Sequence, residues 1–346
     1  MKKILLLISL SLFYFSNAFS VTLYDALNQT YQNNIQLNAE REIIKASEED
    51  VNISKGNYLP SLTLSGTQSQ EDTSKLTNRD GSNATITDVD PFTTSIKLEQ
   101  TILDFGRGLE LKKSKAGLDL AKAKLIKKEQ DVIYGAIDAF SNLILVKEKN
   151  DINEKNLNLL KRQVENDKIR LDRGQITITD LAQSESSLAG AQAQFTQAKS
   201  ELLIAKLTYE NIIGKISDVN QLEKSLNSIA SVPNSLNEAI NLSKQNNPDI
   251  KIAKFDLEQS EKDLSISKSD LAPKATLSLE KSYADDLSST IGERDKDILK
   301  ATVSWPFSLG GKNKYKVNKN KNLTTRKRLL LDHVVRTNET NIDNCI

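Results

Sequence analysis

The chain contains the same sequence plan twice, with the second copy offset by 213 residues. Leu23, Ala26 and Leu27 return as Leu236, Ala239 and Ile240; Asn33-Asn34-Ile35 returns as Asn246-Asn247-Pro248; Pro60 returns as Pro273. A period this long is too large for a solenoid unit. It describes a duplicated half-protein, so the fold is expected to have internal pseudo-symmetry, and each half should contain the same succession of elements.

The first twenty residues have the form of a secretory signal peptide. Lys2 and Lys3 precede an apolar stretch from Ile4 to Phe15, and Ala18-Phe19-Ser20 supplies small residues for cleavage. That stretch is too short to span a bilayer as a helix, and no later window offers about 18 consecutive apolar residues. No Cys follows it that could carry a lipid. The one cysteine, Cys345, excludes a disulfide within the chain, although an exported protein could use them. With 47 basic and 46 acidic residues the net charge is +1, which selects no partner class. Few aromatics and much Ala, Leu, Lys, Asn and Gln suit long helices with narrow seams.

Hydrophobic spacing divides the first copy, 21–214, into parts. Leu23, Leu27, Tyr31, Ile35, Ala39, Ile43 and Ala46 predict one helix over 23–57, closed by Gly56 and Pro60. Residues 61–70 and 93–103 alternate as strands about a polar loop at 71–91, giving a hairpin at 61–103. After Asp104-Phe105-Gly106 the period becomes helical. Leu111, Leu118, Leu125, Val132, Ala139 and Val146 step by seven, and Leu157, Val164 and Leu171 follow an eleven-residue step. Such mixed steps predict helices packed side by side with little supercoil. A helix over 108–173 would be roughly 100 Å long at about 1.5 Å per residue. Gly174 ends it, and a return helix runs to Ile213, with a seam of Leu181, Leu188, Phe195, Leu202 and Tyr209 beside Ala191, Ala198, Ala205 and Ile212. The long helical hairpin thus occupies 106–213.

A linker at 215–235 leads to the second copy, 236–346. It is expected to hold a helix over 236–269, strands at 274–281 and 298–307 forming a hairpin at 274–307 around a polar loop at 282–297, and part of a further helix from Lys312. That helix has an apolar seam of Leu323, Leu330 and Val334 with no evident antiparallel partner. From Gly106 the first copy runs on to Gly214, whereas the second ends 36 residues after Gly310, so the repeat implies a C-terminally truncated chain lacking about 72 residues, with Asn344-Cys345-Ile346 as a non-native end.

Chemistry-bearing groups are sparse. His333 is the only histidine, which leaves no basis for a Ser–His–Asp triad or a histidine metal cluster. Gly310-Gly311-Lys312 lacks the earlier Gly and the following Ser or Thr of a phosphate loop. The carboxylates are interspersed with lysines as on solvated helix faces. No catalytic residue, metal or cofactor is expected, and the chain reads as a non-enzyme. The run Lys312, Lys314, Lys316, Lys319, Lys321, Arg326, Lys327, Arg328 contains no acid. In an exported chain it suits solvated helix faces or anionic headgroups better than nucleic acid.

The strands have the period of outer-membrane barrel strands, alternating apolar and polar over about ten residues. Ile96, Leu98, Ile102, Leu299, Val303 and Trp305 are assigned to lipid, and Lys97, Glu99, Lys300 and Thr302 to a water-filled lumen. Four strands fall short of the practical minimum of eight for a transmembrane barrel, so other copies of the chain must supply the rest.

At this point the chain resembles the TolC-like outer-membrane efflux and secretion channels. The resemblance covers Val21 to about Arg336. Asn33-Asn34 and Asn246-Asn247-Pro248 are similar to the family's opening-helix signature. Leu59-Pro60-Ser61-Leu62 and Leu271-Ala272-Pro273 resemble its helix-to-strand corners, and Pro306-Phe307-Ser308-Leu309-Gly310-Gly311 its strand-to-helix corner. Arg170-Leu171-Asp172-Arg173-Gly174, with Thr177-Ile178-Thr179-Asp180-Leu181, resembles the turn at the periplasmic tip. The resemblance implies a mainly α fold with β hairpins, built as a duplicated helix–β-hairpin–long-helix repeat. In it a long α-helical coiled-coil barrel joins a trimeric transmembrane β-barrel with four strands per chain. It further implies a homotrimer in the outer membrane that extends into the periplasm. Such a trimer works as a passive exit duct for efflux or type I protein secretion, with a periplasmic adaptor (membrane fusion) protein and an inner-membrane transporter. Arg170, Gly174, Gln175 and Asp180 are then the expected partner-contact residues at the tip. The alternatives are a periplasmic coiled-coil adaptor, which would need a small β-sandwich or lipoyl-like unit flanking the hairpin that the sequence does not contain, and a helical scaffold, which would not need alternating hairpins.

Overall fold

The structure, a computed structural model, describes residues 21–344 except 73, 76, 78, 84–88, 225–232, 234 and 288–290. The signal-peptide reading of residues 1–20 and Cys345 lie outside the described residues. Helices α1 (Leu23–Asn33) and α2 (Ile35–Gly56) precede strands β1 (Ser61–Gln68) and β2 (Phe92–Leu103). Helices α3 (Arg107–Asp172) and α4 (Ile178–Ile212) follow, then a 3-10 turn at Val219–Gln221. The plan then recurs as α5 (Leu236–Asn246), α6 (Pro248–Ser269), β3 (Lys274–Asp285), β4 (Arg294–Ser304) and α7 (Lys312–Asp343). Among the described residues the fold is mainly helical with one four-stranded sheet.

Each opening helix differs from expectation in the same way. The single helices predicted over 23–57 and 236–269 are each broken in two, at Asn34 (φ −65°, ψ 119°) and Asn247 (φ −60°, ψ 121°). These two asparagines are equivalent in the repeat. Each turns extended and caps the helix that follows: Asn34 Oδ1 accepts from the Leu37 amide at 3.0 Å, and Asn247 Oδ1 from the Asp249 amide at 2.8 Å. Asparagine at an N-cap satisfies an otherwise orphaned donor. Apolar periodicity runs through such a break unchanged, which is why it does not register as two helices.

Two compact units are present, and they cut across the repeats. One combines the residues up to 39 with 128–232. Its core gathers Ala26, Ala136, Ala139, Phe140, Leu143, Ala205, Tyr209, Ile213 and Ile216. Along α4 the buried line is Ser184, Ala191, Ala198 and Ala205. Leu181, Leu188, Phe195 and Leu202 flank it half-buried. Small residues occupy the innermost line because they let helix backbones approach closely, while larger neighbours close the sides. On α3 the matching buried residues are Val132, Ala136, Ala139, Phe140, Leu143, Leu157 and Val164.

The other unit contains 40–127 and 233–346 and holds the sheet. Here the buried residues of α3 are Ala116, Leu120, Ala121 and Ala123, whereas Leu111, Leu118 and Leu125 are half-buried. The expectation that α7 lacks an antiparallel partner is corrected, because α7 packs against α6. Polar rungs replace a leucine seam: Thr324 Oγ1 donates to the Ser260 carbonyl (3.1 Å), Lys327 pairs with Asp256 (2.6 Å) and Lys316 with Asp270 (2.6 Å). Asn338 clamps the α5–α6 break, accepting from Asn247 Nδ2 at 2.6 Å and donating to Ser243 Oγ at 2.7 Å. Leu323 and Leu330 stay exposed.

The two hairpins join edge to edge into one antiparallel sheet, ordered β1-β2-β3-β4. The second hairpin differs from the sequence reading. β3 extends four residues past 281, and β4 begins at Arg294 instead of 298 and ends at Ser304. The charged stretch Arg294-Asp295-Lys296-Asp297 reads as loop by composition, yet it is held in the ladder opposite Ala284 to Lys281.

Candidate functional site: the two-faced sheet and the helical turn

Register sorts the strand residues into rows across the sheet. One face carries Leu62, Leu98, Leu279 and Leu299 directly opposite one another, one leucine from each strand. Beside this row lie Leu277 with Ala301, and Ala275 with Val303. On the loop side Leu64 and Ile96 align with Lys281 and Asp297, which form an ion pair at 3.4 Å. Ile96 therefore stands at the border of the apolar band. From that border to Val303 the band spans about 20 Å along the strands, at about 3.4 Å per residue.

The opposite face is polar. Ser61, Glu99, Ser278 and Lys300 share one row, Thr63, Lys97, Glu280 and Ile298 the next. Thr101, Thr276 and Thr302 form a row of hydroxyls. Lys97 Nζ meets Glu99 at 2.5 Å, and the Ser65 and Ser95 hydroxyls bond at 2.6 Å. Lys97, Glu99, Lys300 and Thr302 thus share one face, and Leu98, Leu299 and Val303 the other.

Two of the residues assigned to lipid lie outside the paired rows. The β2–β3 register shifts between Thr101 and Leu103, so Leu103, not Ile102, pairs with Ala275 and joins the row ending at Val303. Ile102 is the extra residue of this bulge. Strict alternation cannot foresee it, because one inserted residue exchanges the faces of all that follow. Trp305 lies just beyond β4. Its indole N–H donates to the Leu271 carbonyl at 2.9 Å, and its ring lies 5.0 Å from that of Phe307.

A device that no sequence motif announces closes the corresponding corner of the first repeat. Arg107 donates to the carbonyls of Asn57 (3.2 Å) and Thr101 (3.0 Å) and lies 4.4 Å over the Tyr58 ring. Tyr58 and Leu271 are equivalent in the repeat, so a guanidinium and an indole fasten the same corner in the two copies. The only signal was an arginine or an aromatic following the strand.

The turn between α3 and α4 belongs to the other unit. Gly174 is left-handed (φ 72°) and donates to the Leu171 carbonyl at 2.8 Å, while the Gln175 amide donates to the Arg170 carbonyl at 2.8 Å. This pair of bonds is a Schellman stop, which favours glycine at that position. Thr177 and Asp180 then form a capping box. Asp180 Oδ2 accepts from the Thr177 amide and hydroxyl, both at 2.8 Å, and Thr177 Oγ1 accepts from the Asp180 amide. Those bonds from Thr177 hold the Asp180 carboxyl below its ordinary value of 3.8. The turn also has a buried anchor: Ser184 donates to Asp167 at 2.6 Å, and Arg170 lies 3.5 Å from the same carboxylate. Ser184 extends the line of Ala191, Ala198 and Ala205 by one step of seven, whereas Asp167 lies between Val164 and Leu171, off the expected line.

Two outcomes check this turn. Thr177→Ala should destabilise the start of α4 by about 0.5–2 kcal/mol, and Gly174→Val should cost about 1–2 kcal/mol because the left-handed region crowds a Cβ. Both should raise amide exchange at 173–181. A depressed carboxyl pKa stabilises above the unfolded value and is lost as pH falls through the folded one. Exchange at the Thr177 amide, corrected for the intrinsic rate, should therefore rise only below the ordinary carboxylate range; an increase near pH 6 would contradict the cap.

These features recur in known proteins. The sequence model of the outer membrane efflux protein family matches residues 26–215. The outer membrane efflux protein BepC of Brucella suis biovar 1 (strain 1330) is 26% identical over 322 residues, covering 92% of this chain and 67% of BepC. The proteases secretion protein PrtF of Dickeya chrysanthemi is 27% identical over 225 residues, covering 64% of this chain and 48% of PrtF. The chain thus spans about two thirds of one curated relative and about half of the other. The Campylobacter jejuni CmeC outer membrane channel superposes with a TM-score of 0.75 at 14% identity, covering 91% of this chain and 68% of CmeC. CusC superposes at 0.73 with 15% identity, covering 94% and 74%. These two structures share the fold of a helical body joined to a strand domain. With its duplicated plan, its two-faced sheet and the family match over more than half its length, the chain belongs to the outer membrane efflux protein family of the bacterial outer membrane.

Proposed function

We propose that copies of this chain close their sheets into one barrel and act as the outer-membrane exit duct of an efflux or type I secretion system. The observation that carries this reading is the sheet itself. It has one leucine face, one face of hydroxyls and charges, and open edges at β1 and β4. An open edge leaves backbone donors and acceptors unpaired, which hydrocarbon does not tolerate. Three copies would bring twelve strands, above the minimum of eight for a closed barrel. The leucine face then meets lipid, and Lys97, Glu99, Lys300 and Thr302 line water.

In this reading the α3–α4 hairpin contributes to a periplasmic tunnel. Its turn, from Arg170 through Gly174 and Gln175 to Asp180, meets a periplasmic adaptor and an inner-membrane transporter. Solutes pass without covalent chemistry, so the chain works as a conduit and not as an enzyme.

Single cysteines, introduced into a Cys345→Ser background, test the sheet assignment. A membrane-impermeant maleimide should label Lys97→Cys and Lys300→Cys, and a lipid-soluble reagent should label Leu98→Cys and Leu299→Cys. The reverse pattern would reject the barrel. At the turn, Gln175→Trp should lower efflux or secretion at unchanged protein level; full activity would remove the turn from the partner contact.

A further inference from the structure

We propose that the corner after β4 is a docking site for anionic phospholipid headgroups, which the first repeat's corner does not share. This rests on the bilayer placement of the sheet proposed above. Trp305, Phe307 and Leu309 leave the end of the sheet in succession, all strongly exposed, Leu309 fully so. They continue the strand whose Leu299 and Val303 belong to the apolar face. An indole and a phenyl ring at the edge of an apolar band suit the boundary between acyl chains and headgroups.

The unpaired charges that follow this ledge along the chain have one sign. Lys312 and Lys314 open α7, both exposed and neither in a salt bridge among the described residues, and the first turn of α7 contains no acid. Further along, Lys316 and Lys327 are bound to Asp270 and Asp256. Lys319 and Lys321 lie roughly 7–14 Å further down the helix at about 1.5 Å per residue, about one Debye length or more from the corner. The cations free to meet a headgroup at the ledge are therefore Lys312 and Lys314.

The first repeat's corner is built differently. Asp104 accepts from the Gly106 amide at 2.8 Å and pairs with Lys274 at 3.0 Å, Glu110 lies in the first turn of α3, and Arg107 is engaged by backbone carbonyls. That corner neutralises itself. The second corner leaves positive charge beside an apolar ledge, and an anionic lipid supplies both complements, acyl chain for the ledge and phosphate for the lysines. Each lysine near an anionic surface strengthens binding by about fivefold.

Trp305 is the sole tryptophan, so its fluorescence reports on this corner alone. The full chain is reconstituted in phosphatidylcholine–phosphatidylglycerol vesicles in which one lipid or the other is brominated on its acyl chains. Brominated phosphatidylglycerol should quench Trp305 at several-fold lower mole fraction than brominated phosphatidylcholine. The preference should shrink toward unity in Lys312→Gln/Lys314→Gln and, for the unmodified chain, as salt is raised from about 0.15 to 1 M. Lys319→Gln/Lys321→Gln should retain it. Equal quenching by the two lipids, or a preference insensitive to salt and to the first pair of substitutions, overturns the proposal while leaving the bilayer placement intact. No quenching by either lipid overturns the placement and the proposal with it.

Discussion

Replacing Leu98 by Arg should abolish assembled protein in the outer membrane, whereas Lys97→Arg, one residue away, should leave it unchanged. Leu98 lies in the row with Leu62, Leu279 and Leu299, away from the Lys281–Asp297 pair that marks the loop-side border. In the proposed barrel, a guanidinium on the leucine face would cost about 2–4 kcal/mol near the bilayer midplane and less toward the interfaces, once for each copy. The measurement is the fraction of protein recovered as heat-modifiable oligomer from membranes, with urea-driven refolding into vesicles giving the free energy. Ile96→Arg, at the border row, should cost less than Leu98→Arg. Equal recovery of Leu98→Arg and the unaltered chain would mean that this face does not meet lipid.

Leu143→Ala should be the most damaging truncation in the unit that combines α1 with the 128–232 segment. Leu143 is fully buried, and Ala26, Ala136, Ala139, Phe140, Ala205 and Tyr209 belong to the same cluster. Deleting a buried leucine side chain typically costs about 2–5 kcal/mol, the larger values where surrounding residues cannot collapse into the space. The alanines here offer little side chain to move, which favours the upper part of that range. Ala205→Leu should be destabilising for the opposite reason, by about 1–3 kcal/mol, since the alanine line is where the helices come closest. Denaturant midpoints followed by helical circular dichroism measure both. A change below about 0.5 kcal/mol in Leu143→Ala would show that the cluster is not a packed core.

The extent to which the sequence specified this protein follows from which interactions are local. The duplicated plan, the long helices of α3 and α4 and the stop at Gly174 were legible because each depends on residues near one another in the chain. A glycine at φ 72° or a Thr177–Asp180 box needs no distant partner. The alternation that separates Leu98 from Lys97 is equally local, because successive strand side chains point to opposite faces. The breaks at Asn34 and Asn247 were present as motifs but not as breaks, since an apolar stripe continues across one extended residue.

Other features were decided only when distant segments met. Ile102 yields its place to Leu103 because β3 pairs past a bulge, and nothing within β2 records that. The charged start of β4 is held as strand by hydrogen bonds to β3, a pairing that outweighs its loop-like composition. Helix α7 gains its partner in α6 through Thr324, Lys316 and Lys327, whose periodicity is polar and so does not stand out as a seam. The sequence by itself determined the duplicated elements, their order and the two-faced character of the strands, because propensity, capping and alternation act over a few residues. The tertiary structure alone decided the joining of the hairpins through β2 and β3, the exact rows that face together and the corner fastened by Arg107 or Trp305. Each of those depends on register between segments far apart in the chain, and register is a property of the pair.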